Sequence, residues 1–232
     1  MNKMKTIGLI GGMSWESSDL YYQQINRKIQ QQYGGFYSAK VILNSVNFHD
    51  IELLQRENRW DEAGQYLAEV AQNLERAGVD VIALCTNTMH KVAKHIEDSI
   101  NVPFIHITEA TIHVMHSQKI KKVALLGTAF TMEQDFYKTK IIQSGIEVII
   151  PNADDRQIIH EVIYQELCQG VVHSKSKHAY LDIIDKMIEQ GAQGVILGCT
   201  EIGMLIQQSD LPICVFDTTQ IHVDALIEFA LT

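Results

Sequence analysis

Apolar and polar positions alternate along the chain in blocks that predict an α/β fold. Short apolar runs of strand length lie in the first half at residues 5–12, 39–48, 79–85 and 102–107. Between them, apolar residues recur at helical spacing at 17–33, at about 60–76, and at Met89, Val92, Ala93 and Ile96. Strands that alternate with helices in this way are typical of parallel sheets covered by helices on both faces.

The second half of the chain repeats the order of the first half. KKVALLGT at 121–128 matches KTIGLIGG at 5–12, and GAQGVILGCTEI at 191–202 matches AGVDVIALCTNT at 77–88. A third pair follows in the same order, consisting of LPICVFDTTQIHV at 211–223 and VPFIHITEATIHV at 102–114. Three matches at nearly constant offset predict two similar α/β halves of about 110 residues each.

Two cysteines occupy the same place in this repeat. Cys85 and Cys199 each end an apolar strand run, and each precedes a polar segment, Thr86-Asn87-Thr88 in the first half and Thr200-Glu201 in the second. Ligands of open parallel sheets bind beyond the carboxyl ends of the strands. If the halves are related by a pseudo-two-fold axis, the two thiols face one shared cleft from opposite walls.

Inversion of an amino acid requires a base on each face of one carbon atom. One thiolate would remove the Cα proton and the opposite thiol would return a proton on the other side, without pyridoxal phosphate. We expect the start of a helix after each cysteine to lower the thiol pKa, and the free N–H groups there to hold a carboxylate. The two thiols should titrate as a coupled pair, because two thiolates in one small cavity repel each other.

The charge and the apolar runs of the chain argue against nucleic-acid and membrane partners. The 232 residues carry 19 Lys and Arg against 28 Asp and Glu, a formal net charge of −9, so we expect no nucleic-acid partner. We find no apolar run of transmembrane length and no features of a signal peptide, so we expect no membrane partner and a cytoplasmic location. The remaining cysteines, Cys168 and Cys214, are predicted to be core residues rather than members of a disulfide.

Four segments, GLIGGMSWESS, VIALCTNTMHK, ALLGTAFTMEQDFY and GVILGCTEIG, resemble the aspartate/glutamate racemase family of cofactor-independent amino-acid racemases. The resemblance runs from about Lys5 to the C-terminus, and the paired Cys-Thr motifs are its most specific part. It implies two flavodoxin-like halves with parallel sheets, related by a pseudo-two-fold axis, and an active site in the cleft between them. It implies that residues 1–115, completed by 217–232, form the first half, and residues 116–216 the second. It also implies a homodimer.

The same resemblance implies the residues of the active site. Cys85 and Cys199 would be the acid/base pair acting on an amino-acid substrate, with no cofactor and no metal. The expected substrate contacts come from the polar segments after the cysteines and from the first glycine turn: Met13, Ser14, Thr86, Asn87, Thr88, Thr200 and Glu201. Thr131 lies in the loop equivalent to the first glycine turn, so it either contacts the substrate or only caps its own helix.

The chain departs from the family members that are strict for aspartate at the positions that bind the distal carboxylate. Those members carry an arginine just after the second strand and a lysine farther along the chain. The corresponding segments here read SVNFHDIELLQ and NADDRQIIHEVIY, which lack both residues at those places. His49, Gln55 and Arg156 are the candidates for the distal group instead. The chain therefore resembles a broad-specificity amino-acid racemase at least as closely as a strict aspartate enzyme.

Several alternatives keep the fold and change the function. Isomerases or decarboxylases similar to this superfamily use one cysteine, and a non-catalytic protein would only bind an amino acid in the cleft. The two strand-end cysteines would then be buried thiols that do not react, or ligands of a metal together with a histidine. The histidines carry no catalytic assignment: we expect His90 and His95 to be solvated, and His113 and His222 to share a structural role.

Overall fold

The structure, a computed structural model, describes residues 4–232 and divides into two compact units. The first unit contains the chain up to Ile107 together with His222–Thr232, and the second contains Thr108–Ile221. The predicted boundaries lie after residues 115 and 216, so the first crossing comes earlier than predicted and the second later. Both crossings fall inside helices of the chain.

The sheet of the first unit is parallel and has its first strand in the centre. Its strands are β1 (Thr6–Gly11), β2 (Lys40–Ser45) and β3 (Val81–Leu84), in the order β2-β1-β3. Ile7 of β1 lies opposite Val41 of β2 and Val81 of β3, so the carboxyl ends of the strands lie at one edge of the sheet. The parallel α/β sheet predicted from the strand–helix alternation is confirmed.

The predicted strand at 102–107 is wrong in extent. Only Phe104 forms a β-bridge, with Ile82 of β3, and the chain then enters a helix. The Ile82 N–H donates to the Pro103 carbonyl at 2.9 Å, and the Ile105 N–H donates to the Ile82 carbonyl at 3.0 Å. Because proline has no N–H to donate to a ladder, the pairing stays short. The segment still covers the outer edge of β3.

Helices of the first unit follow the predicted order with two differences. They are α1 (Trp15–Tyr33), α2 (Phe48–Arg56), α3 (Trp60–Arg76) and α4 (Ala93–Glu97). In α1, Tyr21, Ile25 and Ile29 recur every four residues and form one buried face. The sequence pattern does not predict helix α2, and the predicted strand over 39–48 extends to Phe48, the first residue of α2. A regular helix was predicted directly after Cys85, but a 3-10 turn precedes α4.

The second unit has a four-stranded parallel sheet. Its strands are β4 (Lys122–Gly127), β5 (Glu147–Ile149), β6 (Gly194–Gly198) and β7 (Cys214–Asp217), in the order β5-β4-β6-β7. The helices around it are α5 (Ile107–Ser117), α6 (Ala129–Glu133), α7 (Asp135–Gln143), α8 (Ala153–Gln165) and α9 (Ser174–Glu189). Side chains of α8, α9, β4 and β6 form its buried core.

The two sheets have the same topology. In each, the first strand of the unit is central, the second strand flanks it on one side and the third on the other. The bridge at Phe104 occupies the place beside β3 that β7 occupies beside β6. Cys85 and Cys199, which directly follow β3 and β6, therefore follow topologically equivalent strands, each with neighbours on both sides. The sequence repeat thus corresponds to a repeat of strand order.

The last helix, α10 (Thr218–Leu231), begins in the second unit and completes the core of the first. Its apolar face, Val223, Leu226, Ile227 and Ala230, belongs to a cluster with Ile7, Leu9, Tyr21 and Ile25 of β1 and α1. The other face of the first sheet is covered by a separate cluster that includes α3. Neither α10 nor another helix within residues 4–232 has the apolar length that a bilayer crossing requires.

Leu226→Ala should destabilise the first unit, although residue 226 follows the whole second unit in the chain. Leu226 is fully buried in the cluster of β1 and α1, so truncation removes apolar contacts and leaves a cavity. We expect a loss of about 2–5 kcal/mol in the free energy of unfolding, measured by urea denaturation. The exposed Glu228 lies on the same helix, so Glu228→Ala is the control and should change stability by less than about 0.5 kcal/mol. Equal effects of the two substitutions would contradict the packing of α10 described above.

Candidate active site

Cys85 is fully buried at the carboxyl end of β3, and its main chain is held on both sides. Its N–H donates to the Ile10 carbonyl of β1 at 2.9 Å. Its carbonyl accepts a hydrogen bond from the Ser17 hydroxyl of α1, also at 2.9 Å. The first bond continues the β1–β3 ladder past the last strand residue, and the second ties the same residue to α1. The sheet and α1 together therefore set the position of Cys85.

The glycine turn after β1 lies beside Cys85. Gly12 has a φ of +95°, and a Cβ there would lie 2.1 Å from the Val46 carbonyl oxygen, so the turn requires glycine. The buried Met13 follows, and the Ser14 hydroxyl accepts a hydrogen bond from the Ser17 N–H and caps α1. Ser17 therefore links the predicted loop of Met13 and Ser14 to the Cys85 carbonyl. The turn brings these predicted site residues to the same sheet edge.

The polar segment after Cys85 does not start a regular helix. Thr86 and Asn87 are buried, and a 3-10 turn of five residues follows at Thr88–Val92. The side chain of Asn87 does not cap this turn. A single short turn has few aligned peptide dipoles, so the predicted lowering of the Cys85 pKa by a helix N-terminus has little physical basis here.

The pKa of the Cys85 thiol is raised above its ordinary value, contrary to the predicted direction. The cause is burial, because removing a thiolate from water penalises the charged form. Burial therefore favours the neutral thiol of Cys85 over the thiolate.

Of the side chains proposed for distal recognition in the first unit, only Gln55 is associated with the cysteine segment. Gln55 lies on α2, and its amide donates to the sulfur of Met89 at 2.8 Å, within the 3-10 turn after Cys85. His49, at the start of α2, is exposed. Substrate binding by Gln55 stays a prediction.

In the second unit, Cys199 is paired with an acidic side chain. The Cys199 thiol donates to Oε2 of Glu201 at 2.9 Å, and the Thr200 hydroxyl donates to the same oxygen at 3.0 Å. Glu201 is buried at the start of the 3-10 turn Thr200–Met204. Burial, followed by the negative charge of Glu201, raises the pKa of the Cys199 thiol well above its ordinary value. Glu201, expected as a substrate contact, is thus also the hydrogen-bond acceptor of the thiol.

Comparison with known proteins assigns the chain to a family. The family model for Asp/Glu/hydantoin racemases matches residues 10–226, which is nearly the whole chain. The chain belongs to this family.

Individual relatives agree with the family model. A crystal structure of a Yersinia pestis protein assigned as an Asp/Glu racemase shows 49% sequence identity and a TM-score of 0.93, covering 99% of this chain and 100% of that chain. An aspartate racemase homologue from Pyrococcus horikoshii OT3 shows 35% identity and a TM-score of 0.87, with the same coverage. The broad specificity amino-acid racemase RacX of Bacillus subtilis (strain 168) is 25% identical over 217 residues, 89% of this chain and 91% of that protein. The chain is an isomerase of the amino-acid racemase class.

In the second unit of this racemase, Thr131 is a packing residue whose N–H is capped by Thr128. It is fully buried, and its N–H donates to the hydroxyl of Thr128, the N-cap of α6, at 3.3 Å. A Cβ added at either Gly127 or Gly198 would lie 3.1 Å from the Thr131 side chain, so Thr131 packs on the ends of β4 and β6. The cap of α6 is therefore Thr128, and the expectation that Thr131 caps the helix is wrong. Substrate contact by Thr131 stays a prediction.

Arg156 is engaged within the second unit of the racemase. Its Nε donates to Oε1 of Glu133 at 2.9 Å, and one of its terminal nitrogens donates to the Pro151 carbonyl at 2.8 Å. Recognition of a distal carboxylate by Arg156 would have to compete with Glu133.

The histidines of the first unit correct the expectation that His90 is solvated. His90 is buried together with His106 and His222, and its ring centroid lies 4.5 Å from that of His106 and 5.9 Å from that of His222. The structural role expected for His222 agrees with its full burial, whereas His113 is exposed. Within residues 4–232, no group of three His, Cys, Asp or Glu side chains is arranged to hold a metal ion.

His222 is held as a neutral ring. Its Nε2–H donates to the Ile105 carbonyl at 2.7 Å, and its Nδ1 accepts from the Tyr21 hydroxyl at 2.8 Å. Burial lowers the pKa of His222 from 6.5 to about 4.

Cys168 and Cys214 are predicted to be core residues, and the structure shows both of them only half-buried. None of the four cysteines, all within residues 4–232, forms a disulfide, and Cys168 packs against the core of the second unit from a 3-10 turn after α8. Cys214 begins β7 and is half-buried.

Glu201→Gln should lower the pKa of the Cys199 thiol, because it removes the negative charge that disfavours the thiolate. Burial is the larger cause and remains, so the pKa should stay above its ordinary value. The measurement is the pH dependence of iodoacetamide modification, followed by mass spectrometry of the Cys199 peptide. Replacing the exposed Glu161 by Gln is the matched control and should leave the midpoint unchanged. An unmoved midpoint in Glu201→Gln would exclude an electrostatic coupling between the two groups.

The stability of the racemase should fall as the pH drops from 7 to 5, with His222 as one cause. The unfolded chain protonates His222 below about pH 6.5, whereas the folded chain does so only near pH 4, so the unfolded state binds more protons in this window. The contribution is about 2 kcal/mol between pH 7 and pH 5. His222→Gln keeps an amide that can donate to Ile105 and removes the titration. Urea unfolding at both pH values should therefore show a pH dependence smaller by about this amount, and an equal dependence would refute the assignment.

Proposed function

We propose that the protein is a racemase that inverts the Cα centre of aspartate, glutamate or related amino acids without pyridoxal phosphate, using Cys85 and Cys199 as its acid/base pair. One observation carries the proposal: each unit presents a Cys-Thr pair directly after the third strand of the same sheet topology, with Cys85 fully buried and Cys199 half-buried. A thiol in each unit favours inversion over the one-cysteine isomerases and decarboxylases, and over a protein that only binds an amino acid.

In the proposed cycle, Glu201 accepts the proton that Cys199 loses. Both thiols have raised pKa values, so a resting thiolate is disfavoured in either unit. The Cys199 proton moves to Oε2 of Glu201 along the existing hydrogen bond. The Cys199 thiolate then removes the Cα proton from one face of the substrate, and the Cys85 thiol gives its proton to the other face. The cycle leaves a thiol at Cys199 and a thiolate at Cys85, which is the state needed for the reverse reaction.

The charge that develops on the substrate α-carboxylate needs hydrogen-bond donors. Thr86, Asn87 and Thr88 after Cys85, and Thr200 after Cys199, are the donors that this proposal assigns to it, with Met13 and Ser14 at the neighbouring turn. One such donor contributes roughly 3–4 kcal/mol when it is aimed at the developing charge. The Thr200 hydroxyl already donates to Oε2 of Glu201, so the substrate has to compete with that side chain for it.

The residues that are candidates for binding the distal group of the substrate favour broad substrate specificity. Arg156 is paired with Glu133, His49 is exposed, and Gln55 is a neutral amide. A neutral or competed-for group discriminates weakly between a carboxylate and other polar side chains. The name of the Bacillus subtilis relative, a broad specificity amino-acid racemase, agrees with this choice. The homodimer and the cytoplasmic location stay predictions.

Incubation in D2O with a panel of L- and D-amino acids tests the function. We expect the Cα–H signal in the NMR spectrum to disappear and the opposite enantiomer to accumulate, with aspartate and glutamate among the substrates. Exchange without inversion would point to a one-cysteine enzyme, and no exchange with any amino acid would point to a binding protein. Either of these results would overturn the proposal.

Cys85→Ser and Cys199→Ser should each lower kcat for racemisation by about 10²–10⁴-fold, because each removes one of the two proton-transfer groups. A polarimetric or coupled assay of both enantiomers measures the loss. Cys214→Ser is the matched control, since Cys214 is a half-buried thiol at the amino end of β7, whereas Cys85 and Cys199 follow the carboxyl ends of their strands. Circular dichroism should show the folded state in all three variants. Full activity in either strand-end variant would refute the two-thiol mechanism.

A further inference from the structure

His90 makes one hydrogen bond to the segment that carries Cys85 and one to the chain entering α5. Its Nδ1 lies 2.7 Å from the Thr86 carbonyl oxygen, and its Nε2 lies 3.2 Å from the Ile107 main-chain nitrogen. A carbonyl only accepts and a main-chain N–H only donates, so the proton of the ring is on Nδ1 and Nε2 is the acceptor. The two contacts fix one neutral tautomer.

The ring of His90 is held in this orientation by its surroundings. The rings of Phe104, His106 and His222 lie around it, with centroid distances of 5.8, 4.5 and 5.9 Å. All three residues are in the first unit, and His222 is itself fixed by Ile105. A rotation of the His90 ring would break both of its hydrogen bonds and displace these neighbours.

Two side chains together fix the main chain of the Cys85 segment. Ser17 donates to the Cys85 carbonyl at 2.9 Å, and His90 donates to the Thr86 carbonyl at 2.7 Å. Because each peptide group is planar, fixing two successive carbonyls fixes the planes on both sides of Thr86 and the direction of the Asn87 N–H. The ladder bond of the Cys85 N–H to Ile10 completes the set.

We propose that His90 is a positioning residue for proton transfer at Cys85, acting through the hydrogen bond of its Nδ1–H to the Thr86 carbonyl. The inference rests on the proposed function of Cys85. His90 does not touch the reacting carbon in this scheme. It holds the thiol and the adjacent donors in the orientation that the reaction needs, and a misplacement of about 1 Å lowers a rate by up to ~10²-fold.

Two amide side chains separate the two hydrogen bonds of His90. The amide nitrogen of Asn at position 90 lies where Nδ1 lies, so His90→Asn keeps a donor to the Thr86 carbonyl and loses the acceptor for Ile107. The terminal amide of Gln lies where Nε2 lies, so His90→Gln keeps the acceptor and loses the donor. We expect His90→Gln to lower kcat at least about tenfold, with KM within about threefold. His90→Asn should stay within about threefold of the parent in both constants.

The Cα-deuterium isotope effect distinguishes positioning from a general loss of structure. It is measured in both variants with the Cα-deuterated L- and D-forms of the amino acid that the exchange panel shows to react fastest. A slower transfer at Cys85 makes that step more rate-limiting, so His90→Gln should raise the isotope effect for the one enantiomer that Cys85 deprotonates. An isotope effect unchanged for both enantiomers, or an equal loss of kcat in both variants, overturns the proposal.

The ring itself provides a test that needs no variant. The 15N NMR spectrum of the parent protein labelled at histidine should show His90 neutral with the proton on Nδ1. The opposite tautomer or a charged ring overturns the proposal even if a variant fails to fold. If no amino acid is racemised by the parent protein, the proposed function fails, while the tautomer measurement still tests the hydrogen bond to Thr86.

Discussion

Desolvation of two thiols at the carboxyl ends of paired strands is the constraint on which the proposed chemistry depends. Cys85 follows β3 and Cys199 follows β6, and each of these strands has a neighbour on both sides. Cys85 is fully buried and Cys199 is half-buried. Burial raises both thiol pKa values. A raised pKa makes each thiol a proton donor at rest and a strong base once it has lost its proton. The same property is therefore useful for both steps of a two-base reaction.

The two units meet this constraint with different surroundings. Cys199 donates a hydrogen bond to a buried carboxylate, whose negative charge adds to burial in raising the pKa of the thiol. The contacts of the Cys85 segment are made by its main chain, through Ser17 and His90, and these contacts orient the residue without changing its charge. The repeat thus conserves strand order and the place of the thiol, whereas the partner of each thiol is specific to its unit. In the proposed cycle, Cys199 begins as the base and Cys85 as the acid.

The first unit also shows how a remote part of the chain supports the site. Helix α10 follows the whole second unit and packs on β1 and α1. Its residue His222 holds the Ile105 carbonyl and lies against the ring of His90, which in turn holds Thr86. The packing of the last helix and the orientation of the Cys85 segment are therefore parts of one buried cluster.

The α/β class, the duplication, the strands at both cysteines and the family could all be predicted from the sequence, because hydrophobic periodicity and a repeated motif are local properties that do not depend on how distant segments meet. The three-dimensional structure was needed to reveal the short bridge at Phe104, the 3-10 turn after Cys85, and the burial of His90. It also reversed the predicted direction of the thiol pKa values, since desolvation depends on which strands and helices surround a side chain and not on the residues next to it in the chain. A contact such as that of Ser17 with the Cys85 carbonyl joins residues 68 positions apart. Its existence follows from strand register and helix packing, which a single sequence does not specify at the resolution of one hydrogen bond.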